Sequence, residues 1–567
     1  MTNSRFTKSS TGLLILLTFA SVFLLTGLGN SQLIDWDENI YAEASRQMMI
    51  RGDYLNIVIN NERFAEKPPF FFWEQVLSFK LFGINEFAAR FPSAVAGLLM
   101  ILLCYYVGVK IHSPRVGLIW GIVFLTALIP SCLARASAID HTFNLFIASA
   151  VFSLFLFDQR FEDFLTHKKK NRASPSPLPH LSYLLAGSLF LGLAFITKGP
   201  LGSVIALAAF GGYKWFHRSP AIQWRHFFLC AILSLSIALS WYIANWIVSG
   251  EEFIENFIQF QLNLFSKPLQ GHKGPFYYHF VIVFLGLIPW TAFLFITKPA
   301  SLFSINPYFK PLFSICLSWI GFVLLLTSFV STKLPHYSAS VYIPLALLVA
   351  MSLHQKMESG ERLPTKMILL YTAMACGLAT LTLLIPKLAD RFLREEGVEF
   401  TFFWPKELYL VGGVMIVFYL VAALLFWKNR LKAGIIVTAL MTLIFTQDLW
   451  RLLMPPFLSF NQQPLLEMVD ESYQKGGKVV LYRFISFAAL FYGKRPIDML
   501  HTDKFNADPA ILTHRQTFDR FIISNIKEKH RLIKEYPLVE HIRDNGSLSY
   551  FVIKKTPKYP KSPLVNH

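Results

Sequence analysis

The composition of this 567-residue chain excludes an ordinary soluble protein, because 54% of its residues are hydrophobic, only 16% are charged and its mean hydropathy is +0.45. Soluble globular domains carry about a quarter charged residues. The formal net charge of +18 would favour nucleic-acid binding if the cations formed one water-exposed patch, but they are scattered between apolar runs. We therefore predict an integral membrane protein that contacts membrane lipids and no nucleic acid.

Apolar runs long enough to cross a bilayer recur along most of the chain, and we count about thirteen of them. They are 12–30, 93–109, 116–134, 141–157, 182–197, 201–213, 227–248, 278–297, 311–330, 338–354, 367–386, 407–427 and 433–449. The five cysteines are widely spaced and form no CxxC motif, so neither a zinc site nor a disulfide framework is indicated.

The distribution of Lys and Arg predicts the orientation of these runs. If the N-terminus is cytoplasmic, every inner loop is basic, as in Lys110 with Arg115 or Lys428 with Arg430, whereas the short outer loops hold far fewer cations. We therefore predict a multi-pass protein of the bacterial inner membrane whose alternate loops face the periplasm.

The chain becomes more polar after the last apolar run. We predict a membrane domain over residues 1–451, with a long periplasmic loop at 31–92, and a small αβ domain over residues 452–567 on the periplasmic side. The apolar runs of strand length in that domain are 478–484, 486–492 and 548–553. Its helix-like segment is 518–536.

Mixed acidic, basic, histidine and aromatic residues collect in the loops of the predicted periplasmic side. Singly, each has an ordinary explanation, such as a lysine that snorkels or a tyrosine in an aromatic belt. Together on one face they indicate a site, because ionisable residues at membrane depth are costly. The clusters are Asp35 to Glu38, Tyr41, Glu66, Lys67, Arg135, Asp140, Lys198, His272 to Tyr277, Lys333, His336 and Tyr337.

The signs of these charges suggest a lipid-phosphate-linked sugar as substrate. The cations that could bind a phosphate are Lys67, Arg135, Lys198 and Lys333. Asp37 and Glu38 supply carboxylates for general-base catalysis or for orienting a sugar.

Two features of the same loops raise the question of a metal. Asp35-Trp36-Asp37 is a DxD sequence, which in soluble sugar transferases binds a metal with a nucleotide sugar, but its periplasmic position argues against that use. Glu66 and His272 could share a divalent cation, although two residues do not define a metal site. No other cofactor is indicated.

The long first loop also contains an amphipathic segment that predicts a juxtamembrane helix in the interface. Its apolar residues at helical spacing are Trp73, Val76, Leu77, Leu81 and Ile84.

Several of these motifs resemble those of the bacterial aminoarabinose lipid A transferases, which belong with the protein O-mannosyltransferases among the GT-C membrane glycosyltransferases. The resemblance covers most of the membrane part. The matching segments, in chain order, are 37–43, 66–69, 85–92, 197–200, 272–275 and 333–337.

The resemblance implies a mainly α-helical GT-C fold with periplasmic juxtamembrane helices. It also implies an inverting glycosyltransferase that moves a sugar from an undecaprenyl phosphate-linked donor to lipid A or a related glycolipid. The sugar would be 4-amino-4-deoxy-arabinose, another amino sugar or a hexose. Asp37 would lie at the reacting centre, with Glu38 as a second catalytic candidate.

The remaining roles follow from the same resemblance. The residues expected to bind phosphate are Lys67, Arg135, Lys198, Lys333 and Tyr337. The residues expected to orient their neighbours are Tyr41, Glu66, Asp140, His272, Tyr277 and His336.

Two other functions stay open at this stage. Protein O-mannosyl transfer is the first, although the Glu66–Pro69 and Lys333–Tyr337 sequences favour the lipid A branch. A transporter for lipid-linked sugars is the second, but such proteins usually contain repeated halves and polar residues at the bilayer midplane, and neither is evident here.

Overall fold

The computed structural model describes most of the chain, and the fold is given for those residues. They are residues 2–169, 178–217, 223–267, 272–296, 309–395, 400–500, 509–513 and 518–555. The end of the predicted C-terminal domain, residues 556–567, lies outside them.

Helices dominate the described residues, and they are numbered here in chain order. They are α1 Thr2–Leu25, α2 Asp37–Arg51, α3 Phe70–Phe82, α4 Glu86–Ile111, α5 Pro114–Leu125, α6 Leu128–Arg135, α7 Ile139–Lys169, α8 Leu178–Lys198, α9 Leu201–His217, α10 Trp224–Ser249, α11 Glu252–Ser266, α12 Tyr278–Gly286, α13 Phe309–Phe329, α14 Tyr342–Ser359, α15 Thr365–Glu395, α16 Lys406–Trp427, α17 Leu431–Asp448, α18 Met454–Gln474, α19 Phe487–Gly493 and α20 Lys529–Glu535. Short 3₁₀-helices cover Trp290–Phe295, Pro335–Val341, Pro509–Leu512 and Ile526–Glu528.

Within the described residues, each predicted apolar run falls largely on one helix or on two consecutive helices, and residue 297 of the run 278–297 lies outside the described residues. Nine helices of the described chain are long and apolar enough to cross a membrane, and α5 with α6, bent by 72°, would form a tenth span. The multi-pass membrane architecture is therefore confirmed, whereas the predicted number of about thirteen spans stays a prediction.

Local sequence explains how individual helices begin and how closely they pack. Asn85 caps the start of α4 by accepting from Ala88 N at 2.8 Å, and Ser113 caps α5 ahead of Pro114. Where α4 crosses α5, a Cβ on Gly108 would lie 2.4 Å from the Cα of Gly117. The two helices can approach this closely only because both positions are glycine.

A layer formed by the first long loop covers one end of the helix bundle. It contains α2, a two-stranded hairpin of β1 (Val58–Ile59) and β2 (Glu62–Arg63), and α3. The segment predicted as an amphipathic helix forms α3, which ends before Ile84. Val76 is buried in it and Leu77 and Leu81 are exposed, and its place in the membrane interface stays a prediction.

The chain after residue 475 forms a five-stranded sheet that packs on this layer. Its strands are β3 Lys478–Tyr482, β4 Asp498–Leu500, β5 Arg520–Asn525, β6 Glu540–Asn545 and β7 Leu548–Ile553. They lie in the order β4-β3-β5-β7-β6, with β3 parallel to β4 and β5, and β7 antiparallel to β5 and β6.

Two secondary-structure predictions in this region were wrong. The run 486–492, predicted as a strand, is the helix α19, which Ser486 caps by accepting from Ala489 N. The start of the predicted helix 518–536 is instead β5, where Ile522 is fully buried between β3 and β7. The boundary predicted after residue 451 falls within one continuous helical stretch, Leu431–Gln474, and stays a prediction.

Candidate functional site

Five structural elements bring charged side chains together beneath the loop layer. Asp37 begins α2, Lys67 lies in the loop before α3, and Asp140 is in the first turn of α7. Lys198 ends α8, and His336 lies in the 3₁₀-helix Pro335–Val341. We call these five residues the charged cluster, and all five were predicted as site residues from the sequence.

The ion pair between Lys198 and Asp140 forms the base of the charged cluster. The Lys198 Nζ donates to Asp140 Oδ1 at 2.5 Å, and both side chains are largely buried. The ammonium also lies 5.4 Å from the ring centre of Tyr337 and 5.6 Å from that of Phe143. Two aromatic faces and one carboxylate therefore fix the position of this cation.

His336 lies between the two aspartates of the charged cluster. Its Nε2 is 3.9 Å from Asp37 Oδ2 and 3.9 Å from Asp140 Oδ2. The Asp37 side chain is 51% exposed, whereas that of Asp140 is only 6% exposed. Asp37 is thus the carboxylate of this group that an incoming molecule can reach.

Lys67 and Tyr41 share the electrostatic environment of the charged cluster. Burial lowers the pKa of Lys67, and Lys198 acts in the same direction, while the nearby carboxylates Glu66, Asp37 and Asp140 oppose the shift. The Lys67 Nζ lies 5.0 Å from the ring centre of Phe260.

Tyr41 is held as a neutral phenol. Burial raises its pKa well above the ordinary value, and the negative charges of Asp37 and Asp140 raise it further. Because Tyr337 and Glu66 contribute to the same shift, both predicted residues also lie in this environment.

Glu38, the second predicted catalytic residue, has a different environment from that of Asp37. Its Oε1 and Oε2 each accept an N–H of Arg90 at 2.8 Å. The backbone N–H groups of Ser137 and Ile34 donate to the same carboxylate at 2.7 and 2.8 Å. Since this carboxylate is buried and fully hydrogen-bonded, the contacts favour a role in holding α2 against α4.

Two predicted phosphate ligands bind backbone carbonyls in the structure. The Arg135 guanidinium donates to the carbonyls of Phe23 and, at 3.0 Å, Thr26, at the end of α1. The Lys333 Nζ donates to the carbonyls of Thr327 and Ser328, at 2.8 and 2.6 Å, at the end of α13. A cation at a helix C-terminus is favoured by the helix dipole, so both contacts stabilise the fold.

The structure does not place His272 or Tyr277 in the charged cluster. Both side chains are exposed, and the backbone carbonyl of His272 accepts the backbone N–H of Lys333 at 2.9 Å. Within the described ranges, no group of three or more His, Cys, Asp or Glu side chains could hold a metal ion. The proposed sharing of a cation by Glu66 and His272 therefore stays a prediction.

Sequence reasoning missed the roles of Asp35 and Arg90. Asp35 Oδ1 accepts the backbone N–H groups of Phe487 and Ala488 at 2.9 Å, so this carboxylate binds the start of α19. Burial nevertheless raises the pKa of Asp35. Arg90 could have been found from its position, because an arginine in the first turns of an apolar helix requires a partner.

Comparisons with known proteins agree with this architecture. A sequence-family profile described as "Dolichyl-phosphate-mannose-protein mannosyltransferase" matches residues 66–166. The undecaprenyl phosphate-alpha-4-amino-4-deoxy-L-arabinose arabinosyl transferase of Aeromonas salmonicida is 28% identical over 346 residues, which is 60% of each chain. The match thus spans less than two thirds of that relative.

Solved structures match over nearly the whole chain. The crystal structure of ArnT from Cupriavidus metallidurans bound to undecaprenyl phosphate superposes with a TM-score of 0.76 at 19% identity, covering 96% of this chain and 99% of that one. The oligosaccharyltransferase of Archaeoglobus fulgidus superposes with a TM-score of 0.51 at 12% identity, covering 93% and 71%.

The chain is therefore a multi-pass membrane protein with the GT-C fold, as predicted. Within that class, its resemblance to the aminoarabinose lipid A transferases is confirmed in both sequence and fold.

Proposed function

We propose that this protein transfers a sugar from an undecaprenyl phosphate-linked donor to lipid A or a related envelope glycolipid. The observation that carries the proposal is the charged cluster, in which a reachable Asp37 shares one site with two half-buried lysines, Lys67 and Lys198. The names of the similar transferases and of the superposed structure supply the donor class.

The lysines would bind the phosphate of the donor and assist its departure. The Lys198 ammonium carries several N–H donors and uses one on Asp140, so it can donate to a phosphate oxygen as well. Lys67 is half-buried, and a charge-assisted hydrogen bond is stronger where water is partly excluded. As the bond between sugar and phosphate breaks, negative charge grows on the phosphate, so these cations stabilise the transition state more than the bound donor.

The role of Asp37 depends on the acceptor atom. If the acceptor is a hydroxyl, the Asp37 carboxylate takes its proton as general base while the oxygen attacks the anomeric carbon. If the acceptor is a phosphate oxygen, it is already ionised, and Asp37 instead stabilises positive charge on the sugar ring. In both cases one displacement inverts the anomeric centre.

His336 and Tyr41 would serve this reaction as positioning residues. His336 lies within 3.9 Å of both aspartates, so its ring can orient Asp37 relative to the Lys198–Asp140 pair. Tyr41 is a neutral phenol whose O–H can donate to an oxygen beside Asp37.

The reaction would take place on the periplasmic face of the inner membrane, with the N-terminus in the cytoplasm. The basic loops at the opposite end of the bundle support this orientation. A C-terminal tag should be protected in intact cells and become accessible when the outer membrane is opened, and accessibility from the cytoplasm would contradict the orientation.

Protein O-mannosyl transfer is the second candidate, because the matching family profile carries that description. In that reaction the donor would again be a lipid-phosphate sugar, and the acceptor would be a protein hydroxyl. The charged cluster suits either acceptor, so the two candidates differ only in the molecule that approaches Asp37.

Mass spectrometry of lipid A, from cells with and without the gene, tests the proposal. We expect a sugar-sized mass to be lost from lipid A without the gene and to return with the wild-type gene. The Asp37→Asn and Lys198→Ala variants should insert into the membrane normally and fail to restore it. Unchanged lipid A together with a lost protein-linked hexose would favour the second candidate, and full activity of both variants would contradict the site.

A further inference from the structure

A cavity of about 530 Å³ lies between the loop that precedes Asp37 and the C-terminal sheet. The loop contributes Ile34 and Trp36, helix α18 contributes Leu458 and Asn461, and the sheet region contributes Arg483. Trp36, which lines the cavity, directly precedes Asp37 in the chain, so the cavity lies on the loop that leads into α2.

The lining that α18 contributes is apolar at its start, has polar groups on the next turn and ends with apolar Leu465. Met454, Phe457 and Leu458 come from the first turns of α18, just after the apolar run that ends at residue 449. Asn461 and Gln462 follow on the next turn. A pocket with one apolar part and a few polar groups suits an amphipathic ligand.

The backbone is strained on both sides of the cavity. Trp36 has φ 77° and Arg483 has φ 63°, values that residues with bulky side chains rarely adopt. Trp36 belongs to the loop and Arg483 to the sheet region, and both line the same cavity. Such strained backbone conformations are typical of ligand-binding sites.

Gln462 carries a buried acceptor that lacks a partner. Its side chain is 4% exposed, and its Nε2 donates to the carbonyl of Leu33 at 2.8 Å. Within the part of the chain that the structure describes, its Oε1 accepts no hydrogen bond. A buried acceptor left without a donor is unfavourable, and a ligand hydroxyl in the adjacent cavity would satisfy it.

We propose that this cavity binds the saccharide headgroup of the acceptor glycolipid. This proposal rests on the proposed function. Side-chain amides both donate and accept hydrogen bonds, as sugar hydroxyls do, so Asn461 and Gln462 match that headgroup. The apolar residues at the start of α18 would contact the lipid part at the membrane surface. The donor phosphate would lie on the lysines of the charged cluster, and Asp37 follows directly on Trp36, which lines the acceptor cavity.

Binding of lipid A in detergent micelles to the purified full-length protein, without donor, tests the cavity directly. Asn461→Ala should weaken binding about three- to tenfold, as expected for one lost hydrogen bond. Leu458→Trp should weaken it more, because the larger side chain fills the cavity. Gln463→Ala is the matched control, since this neighbour on α18 is exposed, bonds to Glu467 and does not line the cavity.

Transfer kinetics separate a binding role from a structural one. Asn461→Ala should raise the KM for the acceptor by the same factor, leave kcat and the KM for the donor unchanged, and leave the melting temperature unchanged. Micelles of phosphatidylglycerol, which lack a saccharide, should bind wild type and variants equally weakly.

The outcomes distinguish this proposal from the proposed function. If wild type transfers a sugar to lipid A but both cavity variants bind and use lipid A normally, the cavity proposal is wrong and the proposed function stands. If transfer is absent but lipid A binds and both variants weaken that binding, the cavity proposal stands alone. Absence of lipid A binding by wild type would overturn it.

Discussion

Asp37 and Glu38 are adjacent carboxylates that lie in opposite environments. Glu38 accepts four hydrogen bonds, two of them from Arg90, and is 5% exposed. The Asp37 side chain is 51% exposed, and its Oδ2 lies 3.9 Å from His336 Nε2. The comparison shows that two consecutive residues at the start of one helix can have different roles. One carboxylate stabilises the fold, and the other is accessible to a substrate.

Replacing each carboxylate by its amide should separate the two roles most clearly. We expect Asp37→Asn to lower the transfer rate about 10²–10⁴-fold, the usual effect of losing a catalytic acid or base, with an unchanged melting temperature. Glu38→Gln should lower the melting temperature, because it removes the charge that pairs with Arg90. Sugar transfer and thermal unfolding in detergent measure the two effects. A stable Glu38→Gln variant without transfer activity, together with an active but destabilised Asp37→Asn variant, would contradict these roles.

Removal of Arg90 should produce the largest loss of stability. Arg90→Ala leaves the Glu38 carboxylate buried without its cation, which costs about 3–5 kcal/mol. We expect a lower melting temperature and a lower yield of folded protein. The double variant Arg90→Met with Glu38→Leu should recover part of that loss, and no recovery would mean that the pair is not the cause.

Replacement of Lys333 tests whether this cation stabilises the fold or binds the substrate. Lys333→Met should destabilise the protein by about 1–3 kcal/mol, because charged hydrogen bonds to the carbonyls at the end of α13 are lost. Transfer per folded molecule should change little. A rise in the KM for the donor with unchanged stability would instead support the phosphate-binding role predicted from the sequence.

The pH dependence of donor binding should show a smaller effect centred on Lys67. Because its pKa is lowered, Lys67 loses its proton at a lower pH than an ordinary lysine does, so the KM for the donor should begin to rise as pH increases towards that pKa. Lys67→Arg keeps its charge at higher pH and should delay the rise. Identical dependence of the donor KM on pH in wild type and Lys67→Arg would show that Lys67 does not bind the phosphate.

Much of the charged cluster could be predicted because its residues recur at loop positions on one face of the membrane. Sorting the loops by side was enough to group Asp37, Asp140 and Lys198, although these residues are far apart in sequence. The same reasoning could not separate Asp37 from Glu38, because the deciding partner, Arg90, is 52 positions from Glu38. Nor could it show that Lys333 reaches back to carbonyls 5 and 6 residues earlier.

The fold was predictable for long apolar helices and less so for short apolar runs. A run of about 20 apolar residues forms an α-helix in a bilayer, because the helix forms all of its backbone hydrogen bonds within the run. The segments 486–492 and 520–525 are short, and such runs do not distinguish a buried strand from a helix. Their structures depend on tertiary contacts, such as the pairing of β5 with both β3 and β7.

The hydrogen bonds that Asp35 accepts from the start of α19 also limit how this protein can be recombined with its relatives. Exchanging everything after α18 for the corresponding segment of another GT-C protein would replace the N–H groups that bind Asp35, two positions from Asp37. Asn60 forms a second connection of this kind, exchanging two hydrogen bonds with Ile497. A functional chimera must therefore inherit the first loop and the C-terminal sheet as a matched pair.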